Sequence, residues 1–121
     1  MKKTTQETGQ NAELLAQYFL QEQGLIYIRR NVHFKTGEID LVMQDKHCLV
    51  FIEVRYRQNK YYGSAAESIT ISKQKKLIRS ALLYCQKYKV QSPWRIDVVA
   101  ITPASLDQPL DINWIPSAIT S

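Results

Sequence analysis

The sequence predicts an α/β domain in which helices pack on a mixed sheet of four to five strands. Two segments with apolar residues at helical spacing, 10–23 and 73–88, alternate with strand-like segments. The strand-like segments are rich in β-branched and aromatic residues, which favour sheets. One of them, 94–101, is almost continuously apolar, as is typical of a strand buried on both faces. These observations together predict a sheet that helices cover.

The first helix is predicted over 10–23, and Gly24 marks its end. Its apolar side chains form one stripe, made of Leu14, Leu15, Tyr18 and Phe19. The segment 25–34 follows as a strand. We expect the stripe to pack on the sheet to which this strand belongs.

The second helix is predicted over about 73–88, with Ser72 as its N-cap. Its expected buried face consists of Leu77, Ile78, Ala81, Leu82, Cys85 and Tyr88. Strand 94–101 comes next, so the helix is expected to act as a crossover between parallel strands. A short edge strand is expected at 111–115.

The segment "GEIDLVMQDKHCLVFIEVRYR", residues 37–57, predicts a strand hairpin that carries acids among apolar residues. With a turn centred on Asp45 and Lys46, one face is wholly apolar apart from a tyrosine hydroxyl. The other face carries Glu38, Asp40, Val42, Leu49, Phe51, Glu53 and Arg55. Asp40 and Glu53 then become diagonal neighbours, with Cα atoms roughly 7–8 Å apart. A slip of one residue would separate them.

Two carboxylates at this spacing can hold one hard cation such as Mg²⁺ or Mn²⁺ between them. Without a cation, acids packed so closely raise each other's pKa values. The alternative is a surface network in which Arg55 and Arg57 neutralise the acids. The residue pattern leaves both interpretations open.

Length and composition predict one domain, 1–121, with 1–8 and 116–121 as flexible tails. The 121 residues include no apolar run long enough for a transmembrane helix, and the N-terminus lacks the apolar core of a signal peptide. We therefore expect a cytoplasmic protein with no membrane partner.

The net charge of +5 favours a polyanionic partner, and basic residues crowd the start of the second helix. The expected phosphate-binding residues are Lys73, Lys75, Lys76 and Arg79, extended by Arg29, Arg30 and Arg57. The alternative is that these charges form an ordinary solvated helix face.

"GEIDLV" followed by "VFIEVRYR" resembles the strand pair of the PD-(D/E)xK nuclease superfamily. From about Gly9 to Ile101 the chain resembles the YraN-like family of endonuclease-related proteins, which are similar in fold to archaeal Holliday-junction resolvases. The segments that carry this resemblance also include "GQNAELLAQYFL", "RRNVHFKTGEIDLV", "YYGSAAESIT", "SKQKKLIRSA" and "WRIDVVAI". The resemblance implies a restriction-endonuclease-like three-layer sandwich.

The resemblance also implies roles for individual residues. Asp40 and Glu53 match the acids that bind the metal, and we expect the Val54 carbonyl as a third ligand. Glu13 matches an acid that supports the metal or its waters, and Lys73 matches a base that faces phosphate.

Arg55 stands where the superfamily has its lysine. Arginine stays protonated and cannot act as a base, although it can stabilise charge on a phosphoryl group. A bound metal can supply the nucleophile by lowering the pKa of its water. The departure places the catalytic rate in question.

The resulting expectation is a nucleic-acid-binding, Mg²⁺- or Mn²⁺-dependent endonuclease that hydrolyses phosphodiester bonds in DNA, branched or single-stranded. One alternative is a non-catalytic nucleic-acid-binding module with a degenerate site. Another is a protein-interaction domain whose acids pair with its own arginines. A homodimer is expected, because a chain of this length covers little DNA.

Overall fold

A computed structural model describes residues 5–56, 69–102 and 111–120. In chain order the elements are α1 (Thr5–Glu22), β1 (Ile26–Phe34), β2 (Gly37–Asp45), β3 (Cys48–Tyr56), α2 (Ile71–Lys87), β4 (Trp94–Thr102) and β5 (Asp111–Ile119). Neither helix is long and apolar enough to cross a membrane.

The five strands form one mixed sheet in the order β1-β2-β3-β4-β5. β3 and β4 pair in parallel, while the other neighbouring pairs are antiparallel. The chain between β3 and β4 contains α2, which confirms the predicted crossover. With α1 and α2 in two separate core clusters, the fold is the expected three-layer α/β sandwich of restriction-endonuclease-like type.

α1 buries a different stripe from the one predicted. Its fully buried side chains are Ala12, Ala16 and Leu20, four residues apart, whereas Leu15 and Tyr18 are exposed. The small alanines allow the helix to lie close to β-strand residues such as Leu41 and Ile52. Spacing alone favoured the larger apolar residues, but contact with the sheet selected the alanine face.

α2 begins at Ile71, and its N-cap is Thr70 instead of Ser72. The Thr70 hydroxyl accepts a hydrogen bond of 3.1 Å from the backbone N–H of Lys73. The buried residues of the helix are Leu77, Ser80, Ala81 and Tyr84. The predicted face is therefore partly wrong, since Leu82 and Tyr88 are exposed.

The β2–β3 turn contains Lys46 and His47, one position later than we assumed. Lys46 has a positive φ of 56°. The observed pairs include Val42↔Phe51 and Leu41↔Ile52. Both registers assign the same side chains to each face of the hairpin. The observed register brings the acids of β2 and β3 closer together.

β5 continues to Ile119, through residues that we expected in a flexible tail, and α1 likewise begins inside the expected N-terminal tail at Thr5. Buried Asp97 explains the length of β5. Its carboxylate accepts hydrogen bonds from Trp114 Nε1 at 2.9 Å and from the Ser117 backbone N–H at 2.8 Å. Asp97 also forms an ion pair with Arg95.

Candidate metal and nucleic-acid site

The acids of the hairpin meet at the point where β2 and β3 stop pairing. Leu41↔Ile52 is the last pair of the ladder on this side. One residue further along each strand stand Asp40 and Glu53. Ile39 packs with the α2-side core although Leu41 packs with the α1-side core. The alternation of side chains between the two faces of β2 therefore breaks at Asp40. The Asp40 carboxylate consequently lies in the gap between the diverging strands β2 and β3.

Asp40 is held in this gap by the backbone of the neighbouring strand. Its Oδ2 accepts a hydrogen bond of 2.9 Å from the Val54 N–H. The backbone of Val54, whose carbonyl we expected as a metal ligand, therefore lies beside the Asp40 carboxylate. Glu53 lies close enough to Asp40 for the Asp40 charge to raise the pKa of the Glu53 carboxyl.

α1 contributes Glu13 to the same cluster. Oxygen atoms of Glu13, Glu38 and Asp40 all lie within 4.8 Å of one another, close enough to share one cation. Glu38 received no separate role from the sequence. The signal was its spacing of two residues from Asp40 along a strand, which predicts side chains on the same side.

The side chain of Asn31 contacts two of these acids, Glu13 and Glu38. With its amide oriented so that the NH₂ group faces the acids, the nitrogen lies 2.8 Å from Glu13 Oε2 and 3.0 Å from Glu38 Oε1. Asn31 also has a φ of 54° inside β1, a conformation that asparagine tolerates better than most residues. Asn31 was not predicted as a site residue, because an asparagine in a strand carries no distinctive pattern.

Burial and mutual repulsion shift the pKa values of the acids upward. Burial, then the charge of Asp40, raises the pKa of Glu53 to about 8. Burial, followed by the charges of Asp40 and Glu38, raises the pKa of Glu13 to about 7. Burial also raises the pKa of Asp40. The positive charges of the neighbouring bases therefore do not offset these upward shifts in pKa.

Among the residues that the structure describes, three bases lie near the acids. Lys73 Nζ is 3.8 Å from Glu53 Oε1. Half-buried Arg55 lowers the pKa of Glu53, as Arg30 does for that of Glu13. These positive charges are too weak at this range to offset the cost of burial, so the simple network of self-neutralising charges does not describe the site.

The residues fit a hard divalent cation. Glu53 is buried, with 4% of its surface exposed, and its Oε2 has no hydrogen-bond partner among the described residues. A buried acceptor with no donor is costly. Carboxylate oxygens are the ligands that Mg²⁺ prefers. Asp40 and Glu53 would hold the ion, with Glu13 and Glu38 around it.

The expected phosphate-binding residues divide into several groups. Lys75, Lys76 and Arg79 are exposed on α2, whereas Lys73 points to Glu53. Arg29 contacts the end of α2 by hydrogen-bonding Tyr84. Arg57 lies outside the described residues.

Comparison with known proteins gives one consistent family. Residues 12–101 match the family model described as "Uncharacterised protein family UPF0102". A UPF0102 protein of Herminiimonas arsenicoxydans is 47% identical over 96% of this chain and 89% of its own length. One from Saccharophagus degradans is also 47% identical, over 94% of this chain and 93% of its own. One from Aliivibrio fischeri is 43% identical over 98% and 95%, respectively. The chain therefore belongs to the UPF0102, or YraN, family.

Proposed function

We propose that this protein is a metal-dependent endonuclease that hydrolyses phosphodiester bonds in DNA, in a branched or single-stranded region. The observation that supports this most is the buried Glu53 carboxylate beside Asp40, with an oxygen that no described donor satisfies. Mg²⁺ or Mn²⁺ at this place would remove the repulsion among the acids. The cation would also attract the negatively charged phosphodiester.

The side chains divide the work as follows. Asp40 and Glu53 bind the metal, which lowers the pKa of a coordinated water when it is present. Glu13 and Glu38, whose oxygens lie near Asp40, would help to orient waters at the metal. Lys73, 3.8 Å from Glu53, and Arg55 lie where they can stabilise negative charge on the phosphate. Arg55 cannot take a proton from water, so the base in this arrangement is a carboxylate or the bulk solvent.

The second candidate is a nucleic-acid-binding module without catalysis, and Arg55 in place of lysine favours it. The third, a protein-interaction domain whose acids pair with its own bases, is less favoured. Its acids should then be well compensated, but the pKa values of Glu13 and Glu53 are raised to about 7 and about 8.

A cleavage screen tests the proposal. Purified protein is incubated with duplex, single-stranded, flap and four-way-junction DNA, with Mg²⁺, with Mn²⁺ and with chelator. We expect metal-dependent cleavage of at least one structure, which Asp40→Asn and Glu53→Gln each abolish. DNA binding without cleavage under every condition would select the non-catalytic module. Absence of binding as well would contradict both nucleic-acid functions.

We also retain two expectations as proposals, a cytoplasmic location and a homodimer. A dimer would present two acid clusters to one branched DNA. Sedimentation of the purified protein with and without DNA measures this directly.

A further inference from the structure

The positive charge of the protein is concentrated in two neighbouring elements. α2 contains five lysines and arginines, β1 contains two arginines, and neither contains an aspartate or glutamate. The whole chain has a net charge of only +5. The Arg29–Tyr84 hydrogen bond joins the two elements, so Arg29 continues the charged surface of α2, whereas Arg30 acts on Glu13.

One flank of α2 carries this charge along the helix. Lys73, Lys76 and Lys87 are separated by three and eleven residues, which places them on one side of the helix, next to buried Ser80. The flank faces the β1–β2 turn, since the Ser80 hydroxyl lies 2.7 Å from that of Thr36. Lys73 begins the flank beside Glu53, at the acid cluster.

The other end of the flank is a cluster of arginine, lysine and tyrosines. The Arg29 guanidinium lies 4.2 Å from the centre of the Tyr88 ring, and Lys87 Nζ lies 5.4 Å from it. The Tyr84 and Tyr88 rings are 4.5 Å apart. Arg29 and Tyr88 are both exposed.

Arg29 keeps hydrogen-bonding capacity in this cluster. Its Nε donates to the Tyr84 hydroxyl at 3.1 Å, and no described residue accepts a hydrogen bond from its terminal NH₂ groups. Those groups can form a bidentate contact with a phosphate. Arg29 is exposed and its guanidinium plane lies on the Tyr88 ring, so the outer side of that plane suits an unpaired base, because stacking on such planes accepts any base.

We propose that Lys73, Lys76, Lys87 and Arg29 carry one single-stranded arm of the DNA away from the acid cluster, and that Arg29 and Tyr88 bind a phosphate and the adjacent base at its far end. This rests on the proposed function. Lys87 lies fourteen residues after Lys73, which is about 21 Å along the helix. At the roughly 3.4 Å per nucleotide of a duplex-like stacked strand, the distal contact lies at most about six nucleotides from the acids.

The test measures binding without cleavage. Fluorescence anisotropy, in chelator and over a range of KCl concentrations, compares a twelve-nucleotide oligothymidine with an abasic oligonucleotide of the same length. The variants are Arg29→Ala, Lys87→Ala, Tyr88→Leu and Tyr88→Phe. Circular dichroism identifies the temperatures at which each variant is folded. Lys46→Asn, in the β2–β3 turn, is the control for net charge, since asparagine accepts the positive φ there.

Phosphate contacts and base stacking have different signatures in this experiment. Arg29→Ala and Lys87→Ala should each reduce the salt slope by about 0.7 on both oligonucleotides. Tyr88→Leu should weaken oligothymidine binding about five- to tenfold with the slope unchanged, and should leave the abasic oligonucleotide unaffected. Tyr88→Phe and Lys46→Asn should bind nearly as wild type does.

Three outcomes are distinguishable. If wild type binds oligothymidine but the Arg29, Lys87 and Tyr88 variants bind it with equal affinity and slope, the path is wrong while the proposed function stands. A Tyr88→Leu loss of equal size on both oligonucleotides would overturn the stacking contact. If wild type binds neither oligonucleotide, the single-stranded path is wrong, and the nucleic-acid function is contradicted only if flap and four-way-junction DNA also fail to bind.

Discussion

The backbone N–H of Val54 donates a hydrogen bond to Asp40 Oδ2 across 2.9 Å, at the place where β2 and β3 separate. A carboxylate thus occupies the position where another strand pair would form. The bond fixes Asp40 toward β3, where Glu53 lies, while Glu13 and Glu38 lie within reach of its oxygens. The opening of the sheet therefore creates the acid cluster.

Metal binding should require Asp40 and Glu53 together. We expect Mn²⁺ to bind with a Kd in the millimolar range or below, and a large excess of the ion to stabilise the protein by about 1–3 kcal/mol through mass action. Asp40→Asn with Glu53→Gln should abolish the calorimetric signal. Asp45→Asn is the matched control, since Asp45 lies on the same strand but pairs with Arg95. Equal Mn²⁺ binding by wild type and the double variant would show that the metal does not bind at Asp40 and Glu53.

The stability of the metal-free protein should fall as the pH rises. Folding raises the pKa of Glu53 to about 8 and of Glu13 to about 7, above their ordinary values. The stability from their protonated forms is complete below about pH 4.5 and is lost as the pH passes through 7 to 8. In the presence of a chelator, we expect the melting temperature to decrease by roughly 5–10 °C between pH 5.5 and 8.5. This takes about 4 °C of melting temperature for each kcal/mol of unfolding free energy.

Glu53→Gln should remove much of that decrease, because the amide is neutral at every pH. The comparison needs only thermal melts of the two proteins across the same buffers. Parallel curves for wild type and Glu53→Gln would show that Glu53 does not titrate in this range.

Asn31 should act as a positioning residue for Glu13 and Glu38. Asn31→Gly removes the amide and keeps a residue that accepts a φ of 54°. We expect this variant to melt near wild type and to bind Mn²⁺ roughly tenfold more weakly, as is usual for lost support behind metal ligands. Asn31→Ala should lose the same affinity and about 1 kcal/mol of stability besides, from backbone strain. Unchanged Mn²⁺ affinity in Asn31→Gly would contradict the role.

Arg55 should stabilise charge on the phosphate. Arg55→Lys should keep or increase cleavage, because lysine retains the charge and can also reach a neutral state when buried. Arg55→Ala should abolish cleavage and leave Mn²⁺ affinity equal or higher, since a nearby cation competes with the metal. Melting temperature and cleavage rate are measured on all three proteins.

If Arg55 only supports the fold, Arg55→Ala should instead cost roughly 3–5 kcal/mol of stability by leaving buried acids uncompensated. A folded Arg55→Ala protein that cuts DNA as fast as wild type would exclude the catalytic role.

The sequence by itself determined the class of fold and the composition of the hairpin faces near the turn. Alternation along a strand has a period of two, so Glu38 and Asp40 were assigned to one side of β2, and Phe51 and Glu53 to one side of β3, while placing both sets on the same face required an assumed register. The continuous apolar run of β4 and the preceding helix were sufficient to predict the parallel pair β3–β4. The motif resemblance identified Glu13 and Lys73, which no spacing in the sequence connects to Asp40.

Only the tertiary structure decided which residues meet. The buried face of α1 depends on how closely the sheet approaches, so Ala12 and Ala16 are buried and Tyr18 is exposed. The break in alternation at Asp40 arises from a bond to Val54, fourteen residues away. The contacts of Asn31 with Glu13 and Glu38, and of Arg29 with Tyr88, join elements distant in sequence. Such contacts depend on how the elements pack together, and local residue patterns do not predict that packing.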